Sequence, residues 1–235
     1  MYQNISIPQS ASLTAINQGM IAPGNHTILD SLREAPPFTQ GGLVIGITGG
    51  SGCGKTTLLN LIRDQGGLVM DCDAIYHDLL KTDMAMLSAI EARFPGTVKN
   101  GALNRKKLGS IVFSDEKALL DLNAITHAAV KREVLRMIPP IPSLVAIDAI
   151  GLFEGGLAEL CDVTVAVTAP EEMRVQRLMK RDGISESYAR KRIAAQHSDA
   201  WFREQCDHVL VNDGKIDAFA TKCVAFLKSL DIMEP

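Results

Sequence analysis

The stretch Leu43-Val44-Ile45-Gly46-Ile47-Thr48-Gly49-Gly50-Ser51-Gly52-Cys53-Gly54-Lys55-Thr56 decides the fold. Its first half is a short apolar run bounded by glycines, the pattern of a strand buried on both faces. Its second half satisfies G-x-x-x-x-G-K-[ST] without a gap, and Leu58, Leu59, Leu61 and Ile62 follow with helical spacing. Strand, glycine loop and helix together read as a phosphate-binding loop. Glycines permit a tight turn that aims backbone N–H groups at phosphate oxygens, because a Cβ would block the approach. Nucleotide contacts are expected from Gly50, Ser51, Gly52, Cys53, Gly54, Lys55, Thr56 and Thr57, and at Cys53 the N–H matters more than the thiol. The following helix adds the positive end of its dipole. Lys55 is placed to reach the β- and γ-phosphates, and the Thr56 hydroxyl to hold Mg²⁺.

Outward from this loop, four further apolar runs repeat the strand pattern: Leu68-Val69-Met70, Leu144-Val145-Ala146-Ile147, Val163-Thr164-Val165-Ala166-Val167 and Val209-Leu210-Val211. Segments of helical period lie between them, so the chain reads as α/β, a five-stranded parallel sheet flanked by helices. The spacing is uneven. About seventy residues separate the second and third strands, where a crossover needs about a dozen. Within that interval Met86, Leu87 and Ile90 mark one amphipathic helix. A longer one, with Ser114 as its expected N-cap, carries Leu119, Leu122, Ile125, Val130 and Val134 until Pro139-Pro140 stops it. The interval reads as a mostly helical insertion over the sheet's edge, at about residues 75–138.

The second strand runs into Met70-Asp71-Cys72-Asp73-Ala74-Ile75-Tyr76-His77, and carboxyl ends of strands border the ligand crevice of a parallel sheet. Strand alternation predicts Asp71 and Asp73 on one face, toward the phosphate loop. A carboxylate there suits the proton of an attacking hydroxyl or a water on magnesium, with an N-cap on the next helix as the alternative for one of the two. Arg174, Arg177 and Arg181 stand at i, i+3 and i+7 of a helix beginning after Pro170 and share a face, which spacing alone describes as a solvated basic stripe. Trp201 and Phe202 read as core.

Composition narrows the function classes. Lys plus Arg number 24 and Asp plus Glu 27, a net charge of −3 without the basic excess of a general nucleic-acid binder. Hydrophobic residues at 46% and charged residues at 22% describe a packed domain and not a disordered chain. Cys53, Cys72, Cys161, Cys206 and Cys223 are scattered without a CxxC, which argues against a disulfide framework or zinc site. No apolar run approaches the ~18 residues of a membrane span, and the start lacks the parts of a secretion signal, so a cytoplasmic protein is expected. Residues 1–41 are rich in Ser, Asn, Gln, Thr, Ile and Pro without a sustained period. They read as a flexible extension ahead of one domain at 42–235, with a partner-binding arm as the alternative.

Several segments, taken in order, resemble one family. GITGGSGCGKTT followed by DCDAIYH is similar to the opening of the dephospho-CoA kinases, GLTGGIGSGKS and then DADxIAH. Gly101-Ala102-Leu103-Asn104-Arg105 with Leu108 and Val112-Phe113 resembles that family's G-x-L-x-R-x-x-L and [IV]-F. Leu122-Asn123-x-x-Thr126-His127 is similar to its L-N-x-[IL]-x-H-P. Arg177 to Asp182 resembles R-x-x-x-R-D, Arg192-Ile193-x-x-Gln196 its R-[IL]-x-x-Q, and Asn212-Asp213-Gly214 the N-x-G after the last strand. The resemblance covers residues 43 to about 230. Asp148 to Glu154 departs from the family's D-x-P-L-L-x-E, with Ile150 and Gly151 replacing the Pro and one Leu, and Ala128 replaces the Pro after His127.

The resemblance implies a P-loop kinase fold with strand order 2-3-1-4-5, a substrate-binding helical insertion and a helical lid at about residues 171–197. It implies transfer of the γ-phosphoryl group of ATP, with Mg²⁺, to the 3′-hydroxyl of dephospho-CoA, the last step of coenzyme A biosynthesis. A monomer or weak homo-oligomer is expected. On that reading Asp73 is the general base, Lys55 neutralises phosphate oxygens, and Arg177 and Arg181 close onto the transferring group. Thr56 and Asp148 hold the metal, Asn212 and Gly214 join the nucleotide site, and Asp71, His77, Arg105 and His127 face the acceptor. Arg174 keeps its surface reading. A nucleoside or nucleotide kinase of similar fold, or a nucleotide-dependent regulatory protein, are the alternatives.

Overall fold

The run at Leu43 forms strand β1 (Leu43–Thr48), and it is buried on both sides because strands flank it and helices cover both faces. The computed structural model describes residues 42–141 and 143–233, so the extension expected over residues 1–41 lies outside the described residues. After β1 come α1 (Lys55–Asp64), β2 (Leu68–Asp71), α2 (Cys72–Thr82) and α3 (Met84–Arg93). A small hairpin of β3 (Val98–Lys99) and β4 (Ala102–Leu103) leads to α4 (Arg105–Val112) and α5 (Glu116–Met137). Then follow β5 (Leu144–Asp148), β6 (Val163–Thr168), α6 (Glu171–Asp182), α7 (Glu186–Ala194), α8 (Asp199–Gln205), β7 (His208–Val211) and α9 (Ile216–Ser229).

The five long strands lie in the order β2-β5-β1-β6-β7, all parallel, which is the expected 2-3-1-4-5. Register does the work of positioning: Asp148 pairs with Ile47 on one side and Asp71 on the other. Two carboxylates therefore end adjacent strands beside the turn that follows β1. Val44, Met70, Val145 and Ile147 face a core built with α2 to α5, through residues such as Leu79, Ile90, Leu122 and Val134. Ile45, Ile47, Val165 and Val167 face the other core, closed by Leu58 and Ile62 of α1 and by the α9 stripe Phe219, Cys223, Phe226 and Leu227. Among the described residues no helix is long and apolar enough to cross a membrane.

Three local details differ from the sequence reading. Asp115, not Ser114, caps α5: its extended backbone lets the carboxylate accept from Ala118 N–H. Ser114 instead donates its hydroxyl to the Ser110 and Ile111 carbonyls that end α4. The β3–β4 hairpin was not anticipated, although Asn100-Gly101 is the pair that a two-residue turn with positive φ at both positions selects, and both φ values are positive here, 53° and 73°. Asp73 is not on a strand; it sits in the first turn of α2, and Asp71 is that helix's N-cap, accepting from Ala74 N–H at 3.0 Å. Strand end and helical turn, rather than strand alternation, bring the two carboxylates to one cleft.

Helices α6 and α7 form a hairpin with a small core of its own, Val175, Leu178, Ala189 and Ile193. Gly183 turns between them at φ 66°, and Arg190 reaches Glu171 and Glu172 across the pair and Glu186 within α7.

Candidate active site

The turn after β1 wraps the N-terminus of α1. Gly54 at the start of α1 has φ 95°, a left-handed conformation that glycine adopts freely, and a Cβ there would lie 2.4 Å from Asn212 Nδ2. Lys55 Nζ folds back across the loop, donating to the Gly49 carbonyl at 3.0 Å with Asp148 at 3.7 Å, an ion-pair separation rather than a hydrogen bond. Cys53 is buried, and burial raises its thiol pKa, so the thiol stays protonated, while its N–H donates to the Gly50 carbonyl at 3.2 Å.

The loop is held from behind. Arg177 Nη1 donates to the Gly52 and Cys53 carbonyls at 3.1 and 3.3 Å, and its Nη2 to Asn212 Oδ1 at 3.2 Å. Asn212 Nδ2 in turn donates to the Cys53 carbonyl at 2.8 Å. Arg174, read from spacing as a surface cation, is instead 5% exposed and donates to the Ser51 carbonyl and to Gln196. The correction has a simple cause: the i, i+3, i+7 stripe faces the loop, so its first member is the most deeply covered. Sequence reasoning missed Arg174, and Gln196 was seen only as part of a motif.

In front of the loop opens a cleft of about 660 Å³. The loop and Thr56 line one side, Asp71, Asp73 and Asp148 another, and Arg177, Lys180, Arg181 and Arg192 the third. Arg181 grips its neighbour Asp182 with two nitrogens at 2.6 and 2.9 Å, and Arg192 shares the same carboxylate at 2.8 Å. Burial raises the pKa of Asp73, and the Asp71 charge adds to the rise, with Lys55 opposing. Asp148 is raised by burial too, again against Lys55. Thr56 and Asp148 are oxygen donors of the kind a hard divalent cation takes. Among the described residues no group of three or more His, Cys, Asp or Glu is arranged to hold a metal ion alone, so a cation here needs nucleotide oxygens or water as further ligands.

Beyond Asp73 the cleft continues into a narrower, mostly apolar pocket between Cys72, Tyr76, His127, Ile150, Gly151 and Leu157. His127 Nδ1 lies 3.2 Å from the Glu154 carbonyl, which can only accept, so Nδ1 carries the proton. Nε2 is then a buried acceptor without a partner, and burial lowers the His127 pKa, keeping the ring neutral. Glu154 also pairs through Oε1 with His197 Nε2, whose ring stacks on Trp201 at 3.7 Å. Trp201 is thus half-buried beside the site, while Phe202 is core as expected. The other expected contacts lie farther out. His77 is half-buried and bears on Asp73 only through charge, Arg105 is exposed and acts on Tyr76 in the same way, and Gly214 is exposed. Thr57 turns its N–H to the Gly54 carbonyl at 3.2 Å inside α1.

A parallel sheet in this order, with a lysine-bearing glycine loop after its central strand, defines a P-loop phosphotransferase. A family model described as dephospho-CoA kinase matches residues 43–218. A dephospho-CoA kinase of Syntrophotalea carbinolica is 35% identical over 80% of this chain and 92% of its own length. One from Anaeromyxobacter dehalogenans is 37% identical, with the same shares covered. The crystal structure of TT1252 from Thermus thermophilus matches with a TM-score of 0.65 and 34% identity, covering 80% of this chain and 98% of that one. The chain belongs to the dephospho-CoA kinase family, and it is an ATP-dependent phosphotransferase acting on a hydroxyl group.

Proposed function

We propose that this chain transfers the γ-phosphoryl group of ATP to the 3′-hydroxyl of dephospho-CoA, with Asp73 as the general base. The observation that carries the reading is Asp73 itself, a carboxyl with a raised pKa at the junction of the phosphate cleft and the apolar pocket. The hydroxyl oxygen attacks the γ-phosphorus, the bond to the β–γ bridging oxygen breaks, and the proton passes to Asp73 as ADP forms. The transition state is loose, so the work is positioning and charge neutralisation. Lys55, Arg177 and Arg181 supply positive charge from two sides of the cleft. Thr56 and Asp148, oxygen donors lining the same cleft, would hold Mg²⁺, which would neutralise phosphate oxygens there. The helices from α2 to α5 form the acceptor-binding insertion, and the α6–α7 hairpin is the lid. His127 Nε2 accepts a hydrogen bond from a donor group of the acceptor.

The test is an acceptor panel with Mg-ATP and direct identification of the product. Rapid ADP release with dephospho-CoA, yielding CoA, is expected. Equal ATP turnover with and without that acceptor, or faster turnover with a nucleoside, overturns the reading.

A further inference from the structure

Arg174 is the buried cation that phosphoryl transfer leaves unused. It is buried and does not line the cleft in front of the loop. A buried guanidinium is costly unless its donors are engaged. Here Nε donates to the Ser51 carbonyl at 3.0 Å and Nη2 to Gln196 Oε1 at 2.9 Å. The same Gln196 oxygen accepts from Ser51 N–H at 2.8 Å, and Gln196 Nε2 donates to Ser51 Oγ at 2.8 Å. Ser51 is therefore held by its amide, its carbonyl and its hydroxyl at once. In a trans peptide a carbonyl and the next N–H point in opposite directions. Drawing the Ser51 carbonyl rearward turns the Gly52 N–H forward, into the cleft.

Gly50 supplies a separate observation. Its φ is not in the left-handed region, so its backbone conformation does not call for glycine. A Cβ on Gly50 would nevertheless stand 2.1 Å from Arg174 Nη2 and 2.9 Å from Gln196 Oε1. The obstruction comes from the side chains of Arg174 and Gln196.

We propose that Arg174 and Gln196 are positioning residues for the phosphate loop, acting through Ser51, and that Gly50 is glycine because the Arg174 guanidinium fills the space of its side chain. The proposal rests on the nucleotide-binding role of the loop and is independent of which acceptor is phosphorylated. It is tested by ADP binding in calorimetry, which needs no acceptor, on full-length Arg174→Ala, Gln196→Leu, Gly50→Ala and the Gly50→Ala/Arg174→Ala double variant. Arg174→Ala and Gln196→Leu are each expected to weaken ADP binding by about tenfold, the scale of a charge-assisted hydrogen bond. Gly50→Ala weakens it further, by about 100-fold, as an overpacked site does. The double variant falls back to within about threefold of Arg174→Ala alone, because the closest clash, with the guanidinium, has gone and Gln196, freed of Arg174, can shift. In steady state KM for ATP rises in the single variants while KM for the acceptor holds, a split that general loss of structure does not give. If Gly50→Ala costs the same factor in both backgrounds, or if Arg174→Ala and Gln196→Leu bind ADP like the parent protein, the proposal is wrong. Should Arg174→Ala fail to fold, Arg174→Gln carries the same cycle.

Discussion

Asp73 shows how one residue can be suited to catalysis and costly to the fold. Burial and the neighbouring Asp71 raise its pKa, so at neutral pH its ionised form is held against an unfavourable environment. The native state keeps the Asp73 proton to a higher pH than the unfolded chain does. Its contribution to stability is therefore fully present below the ordinary carboxylate pKa and lost as pH rises through the raised native value. Asp73→Asn is expected to leave ADP affinity nearly unchanged, to lower kcat by about 10²–10⁴-fold, and to hold or raise Tm at neutral pH. The pH profile gives the sign. Turnover of the parent protein declines on acidification at a pH above the usual carboxylate range, and that limb is absent from the residual rate of Asp73→Asn. A variant with ordinary turnover removes Asp73 as base. Arg174 illustrates the opposite lesson about legibility. Its position on a helix face was plain from the spacing, but spacing does not say what covers a face, and three residues of one stripe differ here from buried to exposed.

At the scale of elements, the five sheet strands were legible because each is an apolar run bounded by turn residues, and the long helices because their periods are local, although the cap of α5 was placed one residue early. The hairpin after α3 was passed over because each strand is only two residues long, too short for any alternation to register. The apolar pocket beyond Asp73 was legible only in part: the resemblance implied a role for His127, but the Glu154 and His197 that support it come from separate segments that only tertiary packing joins. The α6–α7 hairpin has a core small enough to be tested by one truncation. Leu178 is fully buried within it. Leu178→Ala is expected to cost about 2–5 kcal/mol locally. Hydrogen exchange across residues 171–194 then accelerates while β1 and β6 amides keep their protection, and ATP turnover falls as Arg177 and Arg181 lose their platform. Uniform acceleration across the sheet would show that the hairpin is not a separable unit. The exposed Arg190 network is expected to add little to this, since solvent screens such pairs.

For the whole molecule, the largest helical contribution to one core lies away from the cleft. The α9 stripe closes the sheet face on which α1 packs, and reaches the phosphate loop only through that helix and the buried Cys53. Phe219, 1% exposed, is its anchor. Phe219→Ala is expected to cost about 3–5 kcal/mol and to lower Tm by roughly 6–20 °C, with KM for ATP unchanged below the transition. A changed KM at a temperature where the variant is folded would show that α9 packing is transmitted through α1 to the loop. The supports of the phosphate loop have a consequence in time. The loop ends at Thr56, but the side chains that hold it belong to Arg174, Arg177, Gln196 and Asn212, and β1 has no sheet neighbour before Leu144. At translation rates of about 5–20 residues per second, a growing chain spends roughly ten to thirty seconds between making the loop and making the last of its supports. Throughout that interval an apolar strand and a glycine-rich turn leave the ribosome with nothing to bind. Nucleotide therefore cannot template the folding of this chain from its beginning; the site made first is the one finished last.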